Sequence, residues 1–209
     1  GSPAPRSVGW PRARSSRVEI LYAGRLVPYK LPEVVVRAVA GSKLLQQHRL
    51  RIAGDGPERP RLEAIIREAG LEGCVELLGQ VPQSKVAQLM RESDVFACPS
   101  IRELGAGVVI EAMASGMACV VVDYGGPATL VDADRGIKVP MDSLDALVVS
   151  FRQALESLVA DPVRARQLGS AAHEHALRHY SWEKKSERTV AVYRWLMEGA
   201  RGQKPDFWG

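Results

Sequence analysis

Cysteine, aromatic residues and long apolar runs are all scarce in this sequence, and each scarcity removes a class of protein. The three cysteines, Cys74, Cys98 and Cys119, are odd in number, far apart and embedded in apolar runs. That usage argues against a disulfide framework and reads as buried free thiols in a reducing cytoplasm. No stretch approaches the roughly twenty apolar residues of a membrane span, and the N-terminus lacks the apolar core of a signal peptide. Aromatic residues make up 6%, and no basic run carries them interleaved. The 28 Lys and Arg against 24 Asp and Glu leave a charge of +4, which suits an anionic ligand or a membrane surface without pointing to nucleic acid.

Several catalytic signatures are missing as well. Ser100 and Ser115 lack the flanking glycines of a nucleophile elbow. His173, His175 and His179 share a late helical stretch, but no Glu follows His175 as a zinc protease requires, so the three read as a solvated helix face. Gly54-Asp55-Gly56 is too short for a dinucleotide fingerprint, and no strand ends in an acidic residue at the distance that motif needs, which discounts a dehydrogenase.

What is present is an alternation of apolar strands and amphipathic helices, in a chain of 209 residues with 46% hydrophobic content. That length has room for one Rossmann-sized unit. Residues 1–17 are rich in Pro, Ser and Arg and read as a linker. Val18 to Ala23 reads as a strand ending at Gly24-Arg25, followed by a helix with Pro32 in its first turn. Leu50 to Ala53 repeats the pattern and leads to a helix from Glu58 to Ala69, with Pro57 near its first position. Val75 to Leu78 is a third strand, followed by a helix from Lys85 that Ser84 would cap. Val95 to Cys98 and Cys119 to Val122 are fully apolar strands, and Asp123-Tyr124-Gly125-Gly126-Pro127 reads as a glycine loop after the latter. Gly136 to Val139 is one more strand, and the remainder is helical. Glycine loops recurring at strand C-terminal ends predict an α/β fold with a doubly wound, Rossmann-like parallel sheet over residues 18–180, its ligand crevice along that edge. Residues 181–209 then form a C-terminal helix and tail.

The stretch from Cys98 to Gly116 carries the chemistry. Gly105, Ala106 and Gly107 give a backbone that a bulky ligand can approach closely, and a helix starting near Gly107 aims its free N–H groups and positive dipole end into the same space. Glu103 sits at the mouth of this loop. Glu111 is the only charge in the helix and falls about one turn in. Taken singly, each carboxylate reads as a surface residue. Together they bracket an anion site and could accept hydrogen bonds from hydroxyls on either side of it, as the ribose and hexose of a nucleotide sugar would offer. A glycosidase, whose paired acids flank a bond about 5 to 9 Å apart, fits less well, because this pair brackets a helix start suited to phosphate.

Two glutamates with seven residues between them, the second followed by Ala-Met-Ala-x-Gly, resemble the donor-site motif of the retaining glycosyltransferases of family four, which have the two-Rossmann-domain GT-B architecture. Gly24-Arg25-Leu26-Val27-Pro28-Tyr29-Lys30 is similar to that family's Gly-Arg-Leu-x-x-x-Lys loop. The resemblance implies that this chain is the C-terminal, donor-binding half of a hexosyltransferase moving a sugar from a UDP-, GDP- or other NDP-sugar to an acceptor hydroxyl. It implies roles for Gly24, Arg25 and Lys30 at the diphosphate, and for Val81 to Gln83 beside the nucleobase. The helix start at Gly105, Ala106, Gly107 and Val108 would face the phosphates, with Glu111 on the ribose and Glu103 on the sugar. Arg25, Lys30 and Glu103 would be the catalytic set, with no metal and no further cofactor. The implied partner is an N-terminal Rossmann domain carrying the acceptor site for a glycan, lipid or small molecule, with no nucleic acid, in the cytoplasm or peripheral to the inner membrane face. A module that binds nucleotide sugars without transferring them is the alternative. Departures from the family fall at three places: Leu31 replaces the Gly after the Lys, Gly105-Ala106 replaces Phe-Gly, and Thr129 replaces a Glu beside the transferred sugar.

Overall fold

A computed structural model describes residues 17–103, 106–197 and 199–201. Strands β1 (Glu19–Ala23), β2 (Arg49–Ala53), β3 (Val75–Gly79), β4 (Val95–Cys98), β5 (Ala118–Val122) and β6 (Gly136–Val139) form one parallel sheet of order β3-β2-β1-β4-β5-β6. The expected doubly wound α/β architecture is therefore the one observed. Parallel strands buried on both faces must be apolar throughout, and β4 and β5 are buried at every position.

Successive side chains point to opposite faces, so each strand feeds two cores. Ile20, Leu50, Ile52, Val95, Ala97 and Val120 join the core under α1 (Pro32–Ala40), α2 (Arg59–Glu68) and α6 (Leu144–Ala160). Leu21, Phe96, Cys98, Cys119 and Val121 join the other, under α3 (Gln83–Glu92), α4 (Gly107–Ala114) and α7 (Pro162–Tyr180). The chain winds outward from β1 to β3, then returns to pair β4 beside β1. The connections leaving β1 and β4 go to opposite faces, α1 on one and α4 on the other, which opens a crevice between them.

Local chemistry moves three expected boundaries. Pro60, not Pro57, lies in the first turn of α2, because the chain turns back at Gly56, whose neighbour Leu26 accepts from Glu58 N–H, before the helix starts. Ser84 lies inside α3, and its expected cap is not formed; Pro82 takes the N-cap position in extended backbone, and its carbonyl accepts from Lys85 and Val86. The Gly125-Gly126 stretch is not an open loop but starts the short helix α5 (Gly125–Leu130) after Tyr124. Helix α7 is capped by Asp161, whose Oδ1 accepts from Arg164 N–H, and has Pro162 in its first turn.

Helix α8 (Trp182–Met197) ends the described chain and touches α7. Val190, Tyr193, Leu196 and Met197 are exposed on it, Met197 by 87%. The linker assigned to residues 1–17 lies outside the described residues apart from Arg17.

Candidate functional site

The C-terminal edge of the sheet is closed by backbone hydrogen bonds between loops. Gly24 N–H donates to Ala53 O at 2.9 Å and Gly54 N–H to Gly79 O at 2.8 Å, so the ends of β1, β2 and β3 lie flush. Gly54 is required there: a Cβ on it would stand 1.8 Å from Gly24 O. Across the switch point, Ile101 N–H donates to Tyr29 O and Gly126 N–H to Glu103 O. The loops after β1, β4 and β5 are thereby joined into one rim.

Inside this rim lies a cavity of about 420 Å³. Of the residues singled out in the sequence, Gly24, Arg25, Lys30, Val81, Gln83, Val108 and Glu111 line it. Ala106 and Gly107 sit at the start of α4, where a Cβ on Gly107 would meet nothing within 4 Å. The first turn of α4 has no side-chain cap; Val109 N–H donates to Ala106 O, and the N–H groups of Gly107 and Val108 remain available at the helix start. Gly105 lies outside the described residues. Glu103 is not in the cavity lining and is tied to it through Lys30, whose Nζ donates to Glu103 Oε1 at 2.6 Å. The Arg25 guanidinium is exposed and makes no hydrogen bond or ion pair with any described residue.

Six wall residues went unassigned in the sequence: the strand ends Ala23 and Ala53, Val86 of α3, and three loop residues. Gly54 and Asp55 follow β2, and Gln80 follows β3. The available signal was the Gly54-Asp55-Gly56 turn at a strand's C-terminal end, which a dinucleotide test discards but a generic crevice rule keeps. Asp55 Oδ1 accepts from Gly56 N–H at 2.7 Å and so shapes the turn it belongs to.

The floor beneath the pair of Lys30 and Glu103 is apolar and uncharged. Tyr22 donates its hydroxyl to Arg25 O at 3.1 Å, and burial, reinforced by Cys98 and Glu103, pushes its pKa far up. Burial likewise pushes the Cys98 thiol up to about 12 and raises Cys119 further. Neither thiol is a nucleophile in this setting.

The departures from the family pattern have defined backbone consequences. Leu31 has φ 46°, ψ 46° and Ala106 has φ 41°, ψ 31°, both left-handed. Each stands at a position where the resembled family has glycine, and a residue with a Cβ here carries a left-handed backbone at the cost of strain. Thr129 gives its hydroxyl to Gly126 O at 2.7 Å, inside α5. The late histidines are half-buried rather than solvated: His173 Nδ1 lies 2.6 Å from Ala114 O, and the His175 and His179 rings are 4.5 Å apart. Packing of α7 on α4 places His173 there. Among the described residues no cluster of three or more His, Cys, Asp or Glu gathers, and no helix is long and apolar enough to cross a membrane.

A family model described as glycosyl transferases group 1 matches residues 11–175. The D-inositol 3-phosphate glycosyltransferase of Kribbella flavida is 31% identical over 208 residues, covering 93% of this chain and 47% of the relative. The chain thus spans about half the length of the curated relatives it matches. Among solved structures, sucrose-phosphate synthase from Thermosynechococcus elongatus superimposes with a TM-score of 0.76 at 28% identity, covering 89% of this chain and 47% of that one. A pneumococcal O-GlcNAc transferase solved with UDP and GlcNAc gives 0.75 at 22% identity, covering 87% and 36%.

Proposed function

Because the chain belongs to the group 1 glycosyl transferases, we propose that it is the donor-binding half of a retaining enzyme that moves a sugar from a nucleoside diphosphate sugar to an acceptor hydroxyl. The observation that carries this reading is the unpaired Arg25 guanidinium at the cavity that also holds Lys30 and adjoins the uncapped start of α4. An apolar ligand would gain nothing from that convergence of positive ends. A diphosphate would be held from three sides.

In the proposed reaction, the bond between the anomeric carbon and the diphosphate breaks heterolytically and leaves its electron pair on the phosphate oxygen. Arg25, Lys30 and the α4 N-terminus stabilise that growing charge without a divalent metal. Glu111 accepts from the ribose hydroxyls and Glu103 from the sugar hydroxyls, which orients the anomeric carbon for attack on the face the leaving group vacates. Val81 lies at the nucleobase end. The pneumococcal relative solved with UDP and GlcNAc supports a nucleotide-sugar donor of the same class here. The N-terminal half, with the acceptor pocket, is the partner required for turnover. Three buried free thiols support a cytoplasmic setting, in solution or against the inner membrane face.

A second reading, binding without transfer, is favoured by one observation: Thr129 offers no carboxylate to the sugar and its hydroxyl is already engaged. Calorimetric titration with nucleoside diphosphates and their sugars, with and without chelator, tests the donor site. Transfer assays on this chain joined to an N-terminal half separate the two readings. Binding of the donor that needed added magnesium, or no binding by any nucleotide, would reject the proposal.

A further inference from the structure

Gln83 is the first residue of α3 and Glu111 lies one turn into α4, on two helices packed side by side. Gln83 Nε2 stands 3.0 Å from Glu111 Oε2. An ionised carboxylate only accepts, so the amide must present its NH₂ group in this contact. No Lys or Arg among the described residues pairs with Glu111, and no other described side chain donates to its carboxylate. We propose that Gln83 is the positioning residue for the Glu111 carboxylate and thereby sets how strongly the site distinguishes a ribose from a sugar lacking its 2′ and 3′ hydroxyls. The proposal rests on the reading of Glu111 as the ribose acceptor, and it moves the Gln83 side chain from the nucleobase to the ribose end of the site.

The chemistry follows from what the bond leaves free. A vicinal diol needs two acceptors held at a fixed separation and angle. Glu111 is exposed, and a carboxylate on a long exposed side chain samples several rotamers, which weakens any such pair of contacts. The bond from Gln83 selects one rotamer and occupies one lone pair of Oε2. All of Oε1 and the second lone pair of Oε2 remain for the diol. A neutral donor is suited to this task. Lys or Arg at the same place would neutralise the carboxylate and compete with the hydroxyls for it. Because Gln83 follows Val81 by two residues, the segment that meets the base also sets the carboxylate that meets the ribose.

The test compares UDP and GDP with their 2′,3′-dideoxy counterparts by calorimetry on the whole chain, for the wild type, Gln83→Ala, Gln83→Glu, Glu111→Ala and the Gln83→Ala/Glu111→Ala double variant. Loss of one such hydrogen bond predicts about 3- to 10-fold weaker binding of the ribonucleotide by Gln83→Ala. Dideoxynucleotide affinity should not change. Gln83→Glu keeps the shape but removes the donor and adds a like charge, so it should be at least as weak as Gln83→Ala for the ribonucleotide. In the double variant Gln83→Ala should add nothing to Glu111→Ala. Equal losses for ribo- and dideoxynucleotides, or additive losses in the double variant, would overturn the positioning role while leaving the donor-site reading intact. A wild-type chain that binds neither UDP nor GDP would overturn both.

Discussion

Lys30 and Glu103, 73 positions apart, meet at 2.6 Å across the point where the strand order reverses, with side chains only 19% and 16% exposed. One comes from the connection after β1 and the other from the connection after β4, so the ion pair bridges the mouth of the crevice. A diphosphate taking the ammonium must share it with this carboxylate. Glu103→Ala is therefore expected to leave the affinity for a free nucleoside diphosphate unchanged or raised, and to abolish the extra affinity of the sugar nucleotide. Glu111→Ala should weaken both ligands alike. Equal effects of the two variants on both ligands, read by calorimetry, would contradict these assignments.

Arg25→Ala and Lys30→Ala each remove a charge-assisted contact to the diphosphate. Each should cost about 1.5 to 3 kcal/mol of binding free energy, and chelator should change neither the wild type nor the variants. Lys30→Ala also leaves Glu103 half-buried without its partner, so its loss should be the larger of the two.

The strands were legible because a parallel sheet buried on both faces writes itself as short apolar runs stopped by glycine or proline, as at Val95 to Cys98, which Pro99 ends. The helix-start site was legible because its parts are local: Glu103, Gly107 and Glu111 lie within three turns of chain. Gly54, Asp55 and Gln80 were not, because they become walls only once β1, β2 and β3 are in register and their ends lie flush. The contact between Lys30 and Glu103 has no spacing signal at all. Leu31 and Ala106 hide for another reason: intrinsic preference assigns neither residue a left-handed backbone, and the tertiary frame imposes it.

That imposed backbone can be measured. At Ala106, glycine relieves roughly 1 to 2 kcal/mol of left-handed strain and restores chain entropy costing about 0.4 to 1 kcal/mol, besides losing one buried methyl. The terms nearly cancel, so Ala106→Gly should lie within about 0.5 kcal/mol of the wild type. The same substitution at Ala112, in the body of α4, should cost about 1 kcal/mol or more. Leu31→Gly should destabilise despite equal strain relief, because the Leu31 side chain packs against the core. Denaturant midpoints decide the order.

His48 is buried, and its Nδ1 accepts from Val18 N–H at 2.9 Å. Burial, with Arg17 adding to it and Asp94 opposing, holds its pKa below the usual histidine value. The unfolded chain then binds the proton more readily than the folded one. This contribution to stability is complete above about pH 6.5 and is lost as pH falls through the folded value. Urea midpoints taken at about pH 7.5 and about pH 5.5 should differ more for the wild type than for His48→Gln.

The isolated chain should bind donor and transfer no sugar, since the acceptor pocket belongs to the other half of the proposed enzyme. The exposed Val190, Tyr193, Leu196 and Met197 of α8 should make its amides exchange quickly in this chain, and slow when the N-terminal half is present. Turnover by the purified chain, or strong protection of α8 in a monomer, would count against this division of labour.

The reversal of strand order also dictates when the site can exist during folding. Units β1-α1-β2 and β2-α2-β3 assemble from neighbours in the chain, and so do the units that follow β4. The pairing of Ile20 with Val95 and Leu21 with Phe96 joins these two groups and closes the longest loop in the sheet. Such non-local closure is entropically costly and slow, so it belongs to the last cooperative step. Until it happens, Arg25 and Lys30 ride on one subassembly, Glu103 and Glu111 on another. A nucleotide arriving early finds only half a site. Ligand should therefore slow unfolding far more than it speeds refolding, with the nascent chain blind to its substrate until both groups of strands have docked.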